Sequence, residues 1–378
     1  MLDGWRGIAA LFVALYHLSA YSHFYFSTFV HHTYLFVDFF FVLSGFVISY
    51  TYADRLKNFD EVVVFVIRRF GRLWPLHAFI LLFLVAVELV KLVAVQHHWI
   101  SFNHVPFDPH GYERWSAVPT NLLLIHALGI HRDLSWNTPS WSICTEFWAY
   151  LVFAALSLAG RQALTIGAAA LALIGLLVVF RFSHTNMDVA FDYGFPRCLY
   201  GFFTGYFAYR IWRVLPAARM AWIGRLEIPA VLAAILFMVY AGDNRVSELA
   251  PLLFGAIVVI FAFEQGVVSG LLRARSIALL GRHSYSIYMV HVTVSDFLIY
   301  FASGLEKVTH HLFHMDYPGS GQPLLAIDDN LYFGDLLSLV YLAIVVLVSL
   351  LTYRFVEAPG RSFFNGIAKR WRPAQLAV

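Results

Sequence analysis

An arginine and a histidine open the chain with no charge between them. In LDGWRGIAALFVALYH, residues 2–17, Arg6 and His17 stand eleven residues apart. At about 100° per residue, eleven steps return to within about 20° of the starting direction, so one helix carries both on the same face. They then lie roughly 16 Å apart along the axis. With Arg6 at one surface of a bilayer whose hydrocarbon core is about 30 Å thick, His17 falls near the midplane. A titratable group at that depth is costly and is by default a functional-site hypothesis. The competing reading is a histidine that hydrogen-bonds and packs inside a helix bundle.

Other polar residues stand in apolar surroundings. Asp38 lies in LFVDFFFVLSGF, Glu146 in PSWSICTEFWAYLVF and Arg197 in FPRCLYGFFTGY. Charges inside a bilayer pair with one another or face a wet cavity. Asp38 with Arg197 and His17 with Glu146 are the pairings expected. Asp38, Arg197, Trp141 and Ser142 then line a substrate pocket or form a structural ion pair. Arg69 and Arg72 are three apart in RRFGRLWP, so they share a face if their helix starts early enough. Arginine binds phosphate in a planar fork, although a cluster such as Arg68, Arg69 and Arg72 is also ordinary charge on a cytoplasmic loop. His291 in SYSIYMVH is a second histidine inside the membrane, expected about 9 Å into its span, on the inner half.

The elements that must position these residues are apolar helices. Of 378 residues, 60% are hydrophobic and 13% charged, against about 25% charged in a soluble domain. Mean hydropathy is +0.69. On a 20-residue template, ten spans are expected near 7–26, 34–52, 74–95, 140–159, 163–181, 195–212, 227–241, 249–265, 285–303 and 334–355. The fold class expected is an all-α polytopic membrane protein, a single bundle of about ten transmembrane helices. Lys and Arg crowd alternate loops. One set holds Arg6, Arg55, Arg161, Arg219, Arg282 and Arg372 with their basic neighbours. The positive-inside rule then puts both termini in the cytoplasm and the long loops near 96–139 and 304–333 outside. Cys144 and Cys198 both fall in apolar segments and make no disulfide framework. No removable signal peptide is expected.

Taken in order, Arg6 with His17, VDFFFVLSGF, RRFGRLWP, SWSICTEFWAY, SYSIYMVH and FVEAPGR with Glu357, Pro359 and Arg361 resemble acyltransferase family 3. These are membrane-bound O-acyltransferases of bacterial envelope polysaccharides and of some lipid and antibiotic pathways. The resemblance makes residues 1–361 the transmembrane acyltransferase domain and 362–378 a cytoplasmic tail. Phe147 and Ala149 depart from it, standing where many members have a second acid and an aromatic. The resemblance implies an acyl-CoA donor, most simply acetyl-CoA, with no tightly bound cofactor. Arg6, Arg69, Arg72 and His291 would bind that donor. His17 would be the general base, supported by Glu146. The acceptor would be a hydroxyl of a glycan, glycolipid or related molecule, and the location the cytoplasmic membrane.

Two other classes compete. A secondary transporter also carries charges at the midplane, but such carriers often show two related halves, and no internal repeat is visible here. A metal protein is the other, from His97 and His98 and from His310, His311 and His314. His310 and His314 would share a helix face. No acid or cysteine accompanies either group, so no metal site is assigned. No nucleic-acid partner is expected.

Overall fold

Inside a bilayer the backbone has no water to bond, and helices satisfy it within one segment. The computed structural model describes residues 2–98, 105–216, 221–318, 323–327 and 329–371. Its helices in the first half of the chain are α1 (Leu2–Tyr16), α2 (Thr28–His31), α3 (Phe36–Tyr52), α4 (Phe59–Gln96), α5 (Ala117–Leu122), α6 (Ser140–Leu158) and α7 (Arg161–Phe182). Then come α8 (Gly194–Val214), α9 (Glu227–Ala241), α10 (Ala250–Phe261), α11 (Val267–Leu272), α12 (Arg275–Thr309), α13 (Leu331–Thr352) and α14 (Ala358–Trp371). Among the described residues, seven helical stretches are long and apolar enough to cross a membrane. The chain is an all-α polytopic membrane protein. Arg219, Arg372 and residues 372–378 of the expected tail lie outside the described residues.

Three helix boundaries differ from expectation, and each moves a site residue. The first helix stops at Tyr16 instead of running to residue 26. Beyond it the backbone bonds a distant segment: Tyr21 N–H donates to Leu325 O at 2.8 Å and Leu325 N–H donates to Ser19 O at 2.8 Å. His17 therefore caps the helix end. In α4 the start is Phe59, well before residue 74. Asn58 caps it by accepting from Glu61 N–H at 2.9 Å, and Asp60 and Glu61 in the first turn suit the helix dipole. Arg68, Arg69 and Arg72 thus sit within a helix. The start of α12 is Arg275, sixteen residues before His291, about 24 Å along the axis. His291 is therefore in the middle of its helix.

Contacts divide the chain into two compact units. The first comprises Met1–Val37, Leu215–Ser247 and Val259–Tyr353. At its centre α1 packs against α12, and α13 against α12. The α1–α12 crossing is close because both faces lack side chains there. A Cβ on Gly7 would lie 2.6 Å from the Gly281 nitrogen, and one on Gly281 would overlap Asp3 O. His17 follows Gly7 by ten residues and His291 follows Gly281 by ten. The two helices run parallel, so equal spacing from the crossing carries the two rings to one level, about 15 Å along. The loop after α12 adds a small antiparallel pair of strands, His314–Met315 with Leu324–Leu325, bridged to Ala20. Its His310 terminates α12 in a left-handed conformation, so His310 and His314 share no helix face, and His314 pairs with Glu306 at 2.8 Å.

The second unit comprises Asp38–Val214, Glu248–Val258 and Arg354–Val378. Here α6 packs on α4, α7 and α8, and α14 packs on α4. Residues 362–371 of the expected tail are helical, part of α14, and Phe364 meets Phe70 edge-on at 5.4 Å. α8 is 21 residues long yet absent from the seven spans, because its polar residues and glycines make it less apolar than they are; its Arg197, Thr204, Tyr206 and Tyr209 are all buried.

Candidate functional site

The parallel pairing of α1 and α12 brings two imidazoles into contact. His291 Nε2 lies 3.2 Å from His17 Nδ1, and the rings meet at 61° with centroids 4.8 Å apart. The remaining contacts assign the protons. His291 Nδ1 is 2.6 Å from Tyr288 O and His17 Nδ1 is 2.9 Å from Val13 O. A carbonyl only accepts, so each Nδ1 carries its ring's hydrogen. His291 Nε2 is then an acceptor facing the His17 Nδ1–H, and the lone pair of His17 sits on Nε2. A third helix fixes the pair. The buried Tyr341 hydroxyl of α13 lies 3.2 Å from Ala14 O and 3.0 Å from His291 O, tying the backbones of α1 and α12 together. His17 is half-buried and His291 fully buried. Arg6 lies at the other end of α1, 3.9 Å from Asp3.

In the second unit Asp38 and Arg197 form the expected pair. Arg197 Nε donates to Oδ1 at 3.0 Å and Nη2 to Oδ2 at 2.7 Å, a two-pronged fork with both side chains buried. Arg197 Nη1 also donates to Val189 O at 2.9 Å, and its guanidinium stands 5.5 Å over the Trp141 ring. Trp141 thus covers the ion pair. The Ser142 hydroxyl donates to Pro139 O at 3.0 Å in the first turn of α6.

Glu146, one turn further along α6, accepts from the Tyr150 hydroxyl at 2.5 Å, and Tyr150 lies 2.9 Å from the Ser44 hydroxyl. Arg69 stands over Tyr52 and Phe65, at 5.5 and 5.9 Å from the ring centres. Its Nε is buried without a hydrogen-bond partner among the described residues. Arg72 is half-buried one turn on. Arg68 turns elsewhere. With Arg361, Ser362, Asn365, Gly366 and Lys369 it lines an open cleft of about 690 Å³.

That cleft was not anticipated from the sequence, although a signal exists: Arg361, Asn365 and Lys369 recur every four residues, one face of α14. Tyr341, Tyr150 and the His17–His291 contact were also missed. So was a stacked pair, His77 and His126, with ring centres 5.7 Å apart and planes 7° from parallel. His77 donates through Nε2 to Asn121 O at 2.9 Å, and His126 Nε2 lies 3.1 Å from the Ser140 hydroxyl. Burial, with the like charge of His77 beside it, pushes His126 down to about 3. The unfolded chain takes up that proton near 6.5. Between those values the unfolded state binds more protons, so stability falls as pH falls below about 6.5. Thermal unfolding in detergent at pH 7.5 and pH 5 measures this, and His126→Gln should shrink the difference.

A family model described as "Acyltransferase domain" matches residues 1–354. Over 158 residues the chain is 33% identical to "Protein 2 in picA locus" of Rhizobium radiobacter, covering 41% of this chain and 80% of that protein. Over 119 residues it is 34% identical to "Acyltransferase MdmB" of Streptomyces mycarofaciens, covering 31% of this chain and 26% of that protein. No solved structure matches.

Proposed function

The chain belongs to the acyltransferase family whose model spans residues 1–354, and from that premise we propose that it moves an acyl group, most simply acetyl, from cytoplasmic acyl-CoA to a hydroxyl of an envelope glycan, glycolipid or related acceptor. The observation that carries the proposal is the contact between His17 and His291. With Nδ1–H of His17 directed at His291 and Val13 O, the basic nitrogen is Nε2. It removes the acceptor's hydroxyl proton as that oxygen bonds to the thioester carbon. The C–S bond then breaks, and the imidazolium returns the proton to the departing CoA sulfur. His291 is a positioning residue here. It holds the tautomer that leaves Nε2 basic, the task an acid performs in a serine-protease triad. The family resemblance assigns Glu146 to supporting the imidazolium charge. Release of free CoA thiol by the purified protein, with acceptor present and absent, tests the reading. His291→Ala should lower kcat on the order of 10²-fold, as expected for a misplaced reacting group, with little change in donor affinity. Full activity in His291→Ala would overturn the proposal.

The arginines of α4 are proposed to hold the donor's phosphates. The buried, unpartnered Nε of Arg69 supports this, because a spare donor in that setting gains most from a phosphate oxygen. Arg69→Ala or Arg72→Ala should raise KM for acyl-CoA more than it lowers kcat, since uniform binding is lost. A charged hydrogen bond is worth about 1.5–3 kcal/mol, so roughly 10- to 150-fold weaker binding is expected. Lysine at either position should rescue only in part, keeping the charge and losing the fork. Direct binding of CoA measures it, and unchanged affinity in both alanine variants would remove the role. The expected orientation, termini cytoplasmic in the inner membrane, agrees with the parallel course of α1 and α12, which puts Arg6, Arg275 and Arg282 toward one side. Cysteine labelling from outside tests it.

A further inference from the structure

The histidines that stood out in the sequence as a metal group do not cluster, but another set does. His31 ends α2, His32 follows it, and Asp243 stands in the turn after α9. One donor atom from each lies within 4.8 Å of the others. The His31 and His32 ring centres are 5.3 Å apart, and His32 Nε2 is 2.8 Å from Asp243 Oδ1. The turn holds the set together: Tyr34 donates to Gly242 O at 2.8 Å, and the His32 ring lies so close on Gly242 that a Cβ there would overlap it.

His32 is the unusual member. Its side chain is 2% exposed, yet neither ring nitrogen makes a hydrogen bond of proper geometry among the described residues. The Nε2–Oδ1 contact is short but misaligned for N–H donation. A buried imidazole left so is costly, and a cation shared with the carboxylate removes the cost without needing a hydrogen between them. We propose that His31, His32 and Asp243 bind a divalent cation of the zinc class. Two imidazole nitrogens and one carboxylate oxygen suit Zn²⁺, whose bonds of about 2.0–2.2 Å draw such donors around one point. Nitrogen ligands disfavour Mg²⁺ and Ca²⁺. His31 and Asp243 are exposed, so solvent reaches a fourth position. The ion clamps the turn after α9 to the segment that follows His17. Tyr16 stands between, its ring 6.3 Å from His31 and 4.8 Å from His17.

The test is calorimetric titration of ZnCl₂ into the purified, chelator-treated full chain in detergent, with MgCl₂ as the control. One equivalent of Zn²⁺ should bind and raise the unfolding temperature, and Mg²⁺ should do neither. His31→Ala and Asp243→Asn alter exposed side chains and so keep the fold. Each should weaken binding at least tenfold, since even loss of a group supporting a metal ligand costs about 10- to 100-fold. Absence of saturable zinc binding overturns the proposal. So does unaltered affinity in both variants, which would place bound zinc at other histidines.

Discussion

His17→Ala is expected to abolish acyl transfer in protein that still inserts and purifies folded. A positioned general base is worth about 10²–10⁴-fold in rate. The structural cost of the change is small, because His17 is half-buried at a helix end; its ring gives up contacts that include Val13 O, His291 and the Tyr16 ring. The readout is acyl transfer and free thiol release from acyl-CoA, beside CoA binding by calorimetry. Turnover should vanish while CoA affinity stays near normal, since the phosphates are proposed to sit on α4. Glu146→Gln should also be impaired, keeping its shape but losing the charge that the reading requires. Near-normal turnover in His17→Ala would return the histidine to a packing role and leave the family's chemistry to other residues.

Arg197→Met should cost more stability than any other single change considered. The Arg197–Asp38 fork is fully buried, and removal of one partner leaves a bare carboxylate inside the helices. Breaking a buried pair in this way costs about 3–5 kcal/mol. Replacing both partners with apolar residues is far gentler, because no charge is stranded. Thermal unfolding in detergent should therefore rank Arg197→Met and Asp38→Asn well below the double variant Asp38→Leu with Arg197→Met. Activity separates the two roles left open by the sequence. A folded, active double variant makes the pair a structural device, whereas a folded, inactive one puts Asp38 or Arg197 in the substrate pocket. Wild-type stability in Arg197→Met would mean that the fork holds nothing in place.

Legibility from sequence followed the range of the interaction. The phase of Arg6 and His17 is local, and the helix formed. Asp38 and Arg197 lie 159 residues apart, yet a charge in an apolar run must find its opposite, so few partners were possible. His17 and His291 carry no such compulsion. A neutral imidazole accepts many neighbours, and this one depends on which helix packs beside α1. That choice was written in Gly7 and Gly281, which read as ordinary small residues until two backbones are seen to touch there. Helix starts failed where polar first turns hid them, as at Asn58 to Glu61. The cleft on α14 was missed because a basic, amphipathic end was read as a tail. The His31–His32–Asp243 group joins residues more than two hundred positions apart, with no local pattern to announce it.

The equal ten-residue arms from Gly7 to His17 and from Gly281 to His291 make this pair sensitive to reading-frame-preserving insertions in a way that no single substitution reveals. One residue added to either arm turns its ring by about 100° and lifts it about 1.5 Å, so the imidazoles face apart although every side chain survives. One residue added to both arms restores the level but not the facing, since each ring has swung about its own axis. Seven added to both, roughly two turns, would keep the rings opposed and carry the pair about 10 Å along the helices. Chain length here would act as a vernier on the depth of the proposed proton transfer, and the two arms can be lengthened only together and only by nearly whole numbers of turns, such as seven or eleven residues.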